Sequence, residues 1–117
     1  MELVKPFLSV CIPTYNQPDR YELLLKNINF SLNIEVIVRD DSDNDKSLLI
    51  SEKYKIYNNF SYFKKRKKGL DNALFVFNKM ARGKYIWWIG DDYLYEDSLD
   101  RLIKILQSNN KDFVYIN

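Results

Sequence analysis

Apolar positions along the chain alternate between short continuous runs and stripes at helical spacing. Phe7-Leu8-Ser9-Val10-Cys11-Ile12 predicts a buried strand stopped by Pro13. Tyr21, Leu24, Leu25, Ile28 and Leu32 then share one helical face. Pro18 suits the start of that helix, where a missing N–H costs nothing. Ile34 to Val38 predicts a second strand, and a less cleanly patterned helix is expected from about Asp45 to Tyr57. Tyr62-Phe63 suggests a short third strand. Leu70, Ala73, Leu74, Phe77 and Ala81 form another helical stripe, with Gly83 as its C-cap candidate. Tyr85 to Ile89 reads as a fourth strand, with Trp87 and Trp88 as core residues on its opposite faces. Leu99, Leu102, Ile103 and Leu106 mark a helix capped by Asp97 or Ser98, and Phe113 to Ile116 predicts a fifth strand.

Strands apolar on both faces, alternating with amphipathic helices, predict an α/β fold: a mostly parallel sheet covered by helices on both sides, Rossmann-like in layout. Right-handed crossovers then carry the C-terminal end of every strand to one edge of the sheet. Ligands of such sheets bind at that edge, where the strand order reverses. Three polar clusters meet there in this prediction. Pro13-Thr14-Tyr15-Asn16 follows the first strand, Asp40-Asp41-Ser42-Asp43 the second, and Gly90-Asp91-Asp92 the fourth.

Length and composition narrow the chemistry. With 117 residues, 46% hydrophobic and 29% charged, the chain is one domain with enough apolar material for a core, not a disordered segment. No repeat or linker divides it. The net charge of +2 is too slight to imply a nucleic-acid partner. Cys11 is the single cysteine, read as a small buried hydrophobe in a reducing, cytoplasmic setting. No signal-peptide core is visible at the N-terminus, and no apolar run approaches the ~20 residues needed to cross a bilayer. The chain has no histidine, which excludes Ser-His-Asp and Cys-His nucleophile systems and any His-containing zinc site built within it. A metal would sit on oxygen ligands, favouring Mg²⁺ or Mn²⁺.

Each cluster has a bland reading beside the chemical one. Asp91 and Asp92 are adjacent carboxylates whose repulsion a divalent cation would relieve, although Asp is also a routine turn residue. Gly90 before them would allow close approach of a ligand or a positive φ. Asp40, first after its strand, could accept a hydrogen bond from a base or ribose, or simply build a turn. Tyr15 offers an aromatic face, or plain packing. The run Lys64-Lys65-Arg66-Lys67-Lys68 could compensate a pyrophosphate, attract an anionic membrane, or be a solvated loop. Neither a Gly-x-Gly-x-x-Gly nor a P-loop pattern follows the first strand, so dinucleotide binding and P-loop phosphoryl transfer are unsupported. A phosphoacceptor receiver domain would want acids after the first strand, where Pro-Thr-Tyr-Asn stands.

Four motifs occur together in order: Ser9 to Asn16, Val36 to Ser42, Gly69 to Ala73 with Ala81-Arg82-Gly83-Lys84-Tyr85-Ile86, and Gly90-Asp91-Asp92. Over nearly the whole chain they resemble the nucleotide-sugar-binding half of a family 2 glycosyltransferase with the GT-A fold. The resemblance is to bacterial cell-surface glycan transferases, which would place the chain in polysaccharide synthesis. It implies inverting transfer of a sugar from a nucleoside diphosphate donor to a glycan or lipid-linked acceptor, in the cytoplasm or at the inner face of the membrane. By similarity, Pro13, Thr14, Tyr15, Asn16, Asp40 and Asp91 would bind the donor: Thr14 and Tyr15 along the nucleoside, Asp40 accepting a hydrogen bond from the base, and Asp91 facing the ribose or diphosphate. Asp92 would be the ligand of Mn²⁺ or Mg²⁺. The family's usual Asp-x-Asp has Gly90 in its first place here. Residues 1–117 are thus expected to be the donor-binding portion of a longer protein, with the catalytic base and acceptor-binding part beyond residue 117. The alternative is a non-catalytic nucleotide-binding or oligomerisation module.

Overall fold

The computed structural model describes residues 5–64, 73–90 and 97–109. Their order is β1 (Leu8–Thr14), α1 (Pro18–Lys26), β2 (Ile34–Asp40), α2 (Lys46–Glu52), β3 (Phe60–Lys64), α3 (Ala73–Met80), β4 (Tyr85–Trp88) and α4 (Ser98–Asn109). The four strands form a parallel sheet in the order β3-β2-β1-β4. Strand order reverses between β1 and β4, so the predicted switch point flanks the end of β1. The expected fifth strand at Phe113 to Ile116 lies outside the described residues.

Alternation along the strands divides the core between two faces. Leu8, Val10 and Ile12 of β1 and Ile34, Val36 and Val38 of β2 join Tyr21, Leu24 and Leu25 of α1 and Leu99, Leu102 and Leu106 of α4 in one cluster. Cys11, Ile37 and Phe77 make a smaller cluster on the other face, beneath α3. Trp88 belongs to this second face and departs from expectation: it is 44% exposed, meeting Phe77 edge-on at 4.8 Å, while its neighbour Ile86 is also exposed. Trp87 lies half-buried on the first face as predicted. Among the described residues β4 is an edge strand, and α3 alone covers that face, so the apolar content of β4 exceeds its burial.

Several boundaries move for identifiable reasons. β1 runs through Pro13 to Thr14, because the odd residues of β1 turn their backbone groups towards β4, where Ile89 N donates to Cys11 O. The β1–β4 ladder ends at this point, since its next bond would run from residue 13 N to Ile89 O and Pro13 has no N–H, while pairing with β2 continues. α1 stops at Lys26, earlier than the apolar stripe. Asn29 Oδ1 captures both N and Oγ of Ser31, at 3.1 and 2.6 Å, and this local turn competes with the helix. α2 is short, and its buried residues are Ser47 and Ser51. Ser51 Oγ lies 2.6 Å from Tyr21 Oη and 2.8 Å from Ser47 O, so hydroxyls occupy the positions where an apolar stripe was sought.

Gly83 is needed for a different reason than helix capping. A Cβ there would sit 2.6 Å from Ser9 N and 2.9 Å from Leu8 C, inside van der Waals contact with backbone. The glycine lets residues 82–83 dock on β1, where Gly83 N donates to Ser9 Oγ at 2.8 Å.

Candidate functional site

The C-terminal strand edge is assembled from two loops that hold each other. Thr14 and Asp40 are partners in the β1–β2 register, and the ladder continues one step as Asp41 N donates to Thr14 O at 3.0 Å. Beyond it Asn16 turns back with φ 52°, the only non-glycine residue with positive φ among the described residues. Asn tolerates this left-handed region better than most residues because its short amide bonds locally. Asn16 N donates to Ser42 Oγ at 2.8 Å, Asn16 Nδ2 to Asp43 Oδ2 at 2.9 Å, and Asp43 N to Asn16 Oδ1 at 2.9 Å. The cluster after β1 and the cluster after β2 therefore form one unit.

Within that unit the carboxylates have different fates. Asp40 falls on the same face as Val36 and Val38 and is wholly buried. Its Oδ1 accepts Ser42 N at 2.9 Å, and its Oδ2 accepts the Tyr62 hydroxyl. Lys64 Nζ stands 3.6 Å from Oδ2 and donates to the carbonyls of Ser42 and Asn44. Burial, reinforced by this hydrogen bond to Asp40, pushes the Tyr62 phenol above its ordinary range. Asp41 points to the opposite face and keeps a third of its side-chain surface exposed, with Oδ1 accepting Arg39 Nε at 2.8 Å. Arg39 itself is buried, so Asp41 is fixed by a cation that solvent barely reaches.

Tyr15 is 57% exposed and Asn16 is exposed beside it, whereas Thr14 is buried. Pro13 is half-buried at the β1 side of the edge. Extending the β1–β4 register beyond Cys11 and Trp88 brings Gly90 level with Pro13, so the fourth strand delivers its end to the same edge. Asp91 and Asp92 lie outside the described residues. Of the two options expected of Gly90, the positive φ is not taken, and a Cβ built there would meet nothing within 4 Å among the described residues. Among the described residues, nothing in the packing demands glycine at the place where the family pattern has Asp.

Of the residues expected at the site, Pro13, Thr14, Tyr15, Asn16 and Asp40 thus gather at one edge. Of the residues that hold this edge, Ser42 and Asp43 belonged to the polar cluster after β2 and Lys64 to the basic run, none with a holding role assigned, and Tyr62 carried no motif signal. Strand alternation alone could have separated Asp40 from Asp41. Lys64, first of the basic run, is tied to the β2–α2 loop rather than solvated; the rest of the run lies outside the described residues. A hollow of about 260 Å³ bordered by Glu35, Asn59 and Arg82 lies at the opposite strand edge and shares no residue with this site. Among the described residues no group of three or more acidic or thiol side chains could hold a metal ion, and no helix is long and apolar enough to cross a membrane.

A doubly wound parallel sheet with a polar edge at its switch point defines a GT-A-like α/β domain. The chain belongs to glycosyltransferase family 2, whose family model matches residues 9–117. Among curated proteins it is 34% identical over 109 residues to the abequosyltransferase RfbV of Salmonella typhimurium, covering 86% of this chain and 33% of that protein. It is 32% identical over 111 residues to a cholesterol galactosyltransferase of Borreliella burgdorferi, covering 92% and 31%. The crystal structure of S. aureus TarS 1-349 superposes with a TM-score of 0.73 at 26% identity, covering 88% of this chain and 33% of that one. The same protein in complex with UDP gives a TM-score of 0.72 at 26% identity, covering 88% and 32%. The chain spans about a third of the length of these relatives.

Proposed function

We propose that residues 1–117 form the donor-binding part of an inverting glycosyltransferase that takes a nucleoside diphosphate sugar. The observation that carries this reading is the interlocked pair of loops after β1 and β2, which leaves Tyr15 and Asp41 partly open at the switch-point edge. The Tyr15 ring gives the base a face, and Asp41 gives it a hydrogen-bond acceptor. Asp40, which the resemblance suggested for that contact, has both oxygens engaged inside the protein and acts by holding the loop. UDP bound to a structural neighbour supports a uridine donor.

Asp91 and Asp92 follow β4 after Ile89 and Gly90 in the sequence, and carboxylate oxygens are the donor type that Mn²⁺ or Mg²⁺ takes. No described atom lies within 4 Å of a Cβ built on Gly90, which is compatible with a ligand lying close to it. Asp92 would hold the cation and Asp91 would face the ribose or diphosphate. Bound there, a cation would neutralise the departing diphosphate. The acceptor, a glycan or a lipid-linked sugar, and the base that activates it fall to residues outside this chain. Work on such acceptors would place the enzyme in the cytoplasm or at the inner face of the membrane.

Calorimetric titration of the full-length protein with UDP, GDP, CDP and dTDP, with and without Mn²⁺, tests the reading. One diphosphate should bind, Mn²⁺ should tighten it, and Asp92→Ala should remove the metal's effect. No binding of any of the four would leave the alternative of a non-catalytic oligomerisation module.

A further inference from the structure

Tyr15 is a large ring more than half exposed, yet the backbone on either side of it is pinned. Before it, buried Thr14 accepts Asp41 N at 3.0 Å. After it, Asn16 is bracketed by Ser42 Oγ and by two 2.9 Å bonds to Asp43. The Tyr15 hydroxyl also reaches Asp43 Oδ2, at a longer 3.3 Å. Asp43 is therefore the common partner of the residue that shows the ring and the residue that fixes the turn. It is itself anchored, because the carbonyls of Ser42 and Asn44 on either side accept Lys64 Nζ. An exposed aromatic ring with a free backbone would lose rotamer and loop entropy when it stacks on a ligand. One held in place has already made that loss, and affinity gains accordingly.

We propose that Asn16 and Asp43 are positioning residues whose reciprocal clasp holds the Tyr15 ring ready for the base of the donor nucleotide. The inference rests on the donor-edge reading above and adds to it the device that orders the edge. Asn16 is suited to the task twice over, since it accepts the left-handed backbone and supplies both an amide donor and an amide acceptor to Asp43.

Titration of the full-length protein with the tightest-binding of UDP, GDP, CDP and dTDP decides it. Asp43→Ala should weaken binding about tenfold, the scale of one lost ordering contribution. Asp43→Asn, which keeps an oxygen for Asn16 Nδ2, should recover most of that loss. Asn16→Gly retains the left-handed turn and deletes only the amide, so it should match Asp43→Ala. In a Tyr15→Ala background, Asp43→Ala should cost nothing further, because residues acting through one another are non-additive. The inference is overturned if Asp43→Ala binds like wild type, or if it weakens the Tyr15→Ala protein by the full tenfold, which would mean that Asp43 touches the ligand itself. Failure of the wild type to bind any of the four diphosphates would remove the donor-edge reading and this inference together. Binding by the wild type with an unaffected Asp43→Ala removes this inference alone.

Discussion

Glu35 and Asp40 stand near opposite ends of β2, both buried, both on carboxylates that the protein satisfies internally. Glu35 Oε2 accepts the Ser9 hydroxyl and the backbone N–H of Arg82, each at 2.6 Å, and Oε1 lies 3.5 Å from Arg82 Nε. It fastens the turn before β4 to the sheet. Asp40 does the equivalent at the other edge, tying β3 and the β2–α2 loop together through Tyr62, Lys64 and Ser42. What separates the two edges is their neighbours. Beside Asp40 stand Asp41 and Tyr15, oriented by buried or clasped partners yet reachable from solvent. A buried carboxylate that spends its oxygens on the fold is architecture, and the groups it orders beside it are left for a ligand.

The largest effect should come from Glu35→Ala. It strands the buried Ser9 hydroxyl and the part-buried Arg82 N–H, which costs about 3 kcal/mol. Denaturant midpoints should fall accordingly while nucleotide affinity in the folded protein stays within about twofold. A tenfold affinity loss would erase the distinction between the two edges.

Next come the paired carboxylates of the other edge. Asp40→Asn should cost about 2 kcal/mol of stability, since a buried amide serves the Tyr62 hydroxyl and Ser42 N–H less well than a carboxylate. Asp41→Asn keeps an oxygen for Arg39 Nε, so its stability loss should be smaller and its nucleotide affinity should drop about tenfold. Reversal of that order, with Asp40→Asn hurting binding and sparing stability, would return Asp40 to the role first expected of it.

Glu35 also reaches Cys11 electrostatically, which sharpens the contrast through pH. Burial, with a smaller contribution from the Glu35 carboxylate, pushes the Cys11 thiol from 9.0 up to about 12. The unfolded chain loses this proton first. Stability is therefore full below about pH 9 and declines as pH rises towards 12, by about 1.4 kcal/mol per pH unit for one thiol. Unfolding midpoints of Cys11→Ala measured between pH 8 and pH 10 should show a shallower slope than wild type. Equal slopes would rule out the thiol as the source.

Ser47→Ala should change least. Its hydroxyl is buried with no hydrogen-bond partner among the described residues, so removal should leave stability unchanged or raise it by about 0.5 kcal/mol. A clear loss in thermal unfolding would reveal a partner for that oxygen.

Over the described residues, apolar periodicity by itself determined the succession of strands and helices, and crossover handedness then placed the clusters after β1 and β2 at a common edge. Both follow from local geometry, since period and chain direction are properties of neighbouring residues. The lengths of α1 and α2 escaped because an Asx turn at Asn29 and the Ser51 hydroxyl act through hydrogen bonds, which hydropathy does not register. Gly83 looked like a helix cap from its position, while its true constraint is backbone contact with β1, distant in the chain. The same holds at the site. Sequence placed Asp40 and Asp41 at one strand end, but only packing decided which was sealed under Tyr62 and which was held outward by Arg39. Exposure and partnership depend on what the rest of the chain brings alongside, and that is settled only when the sheet closes.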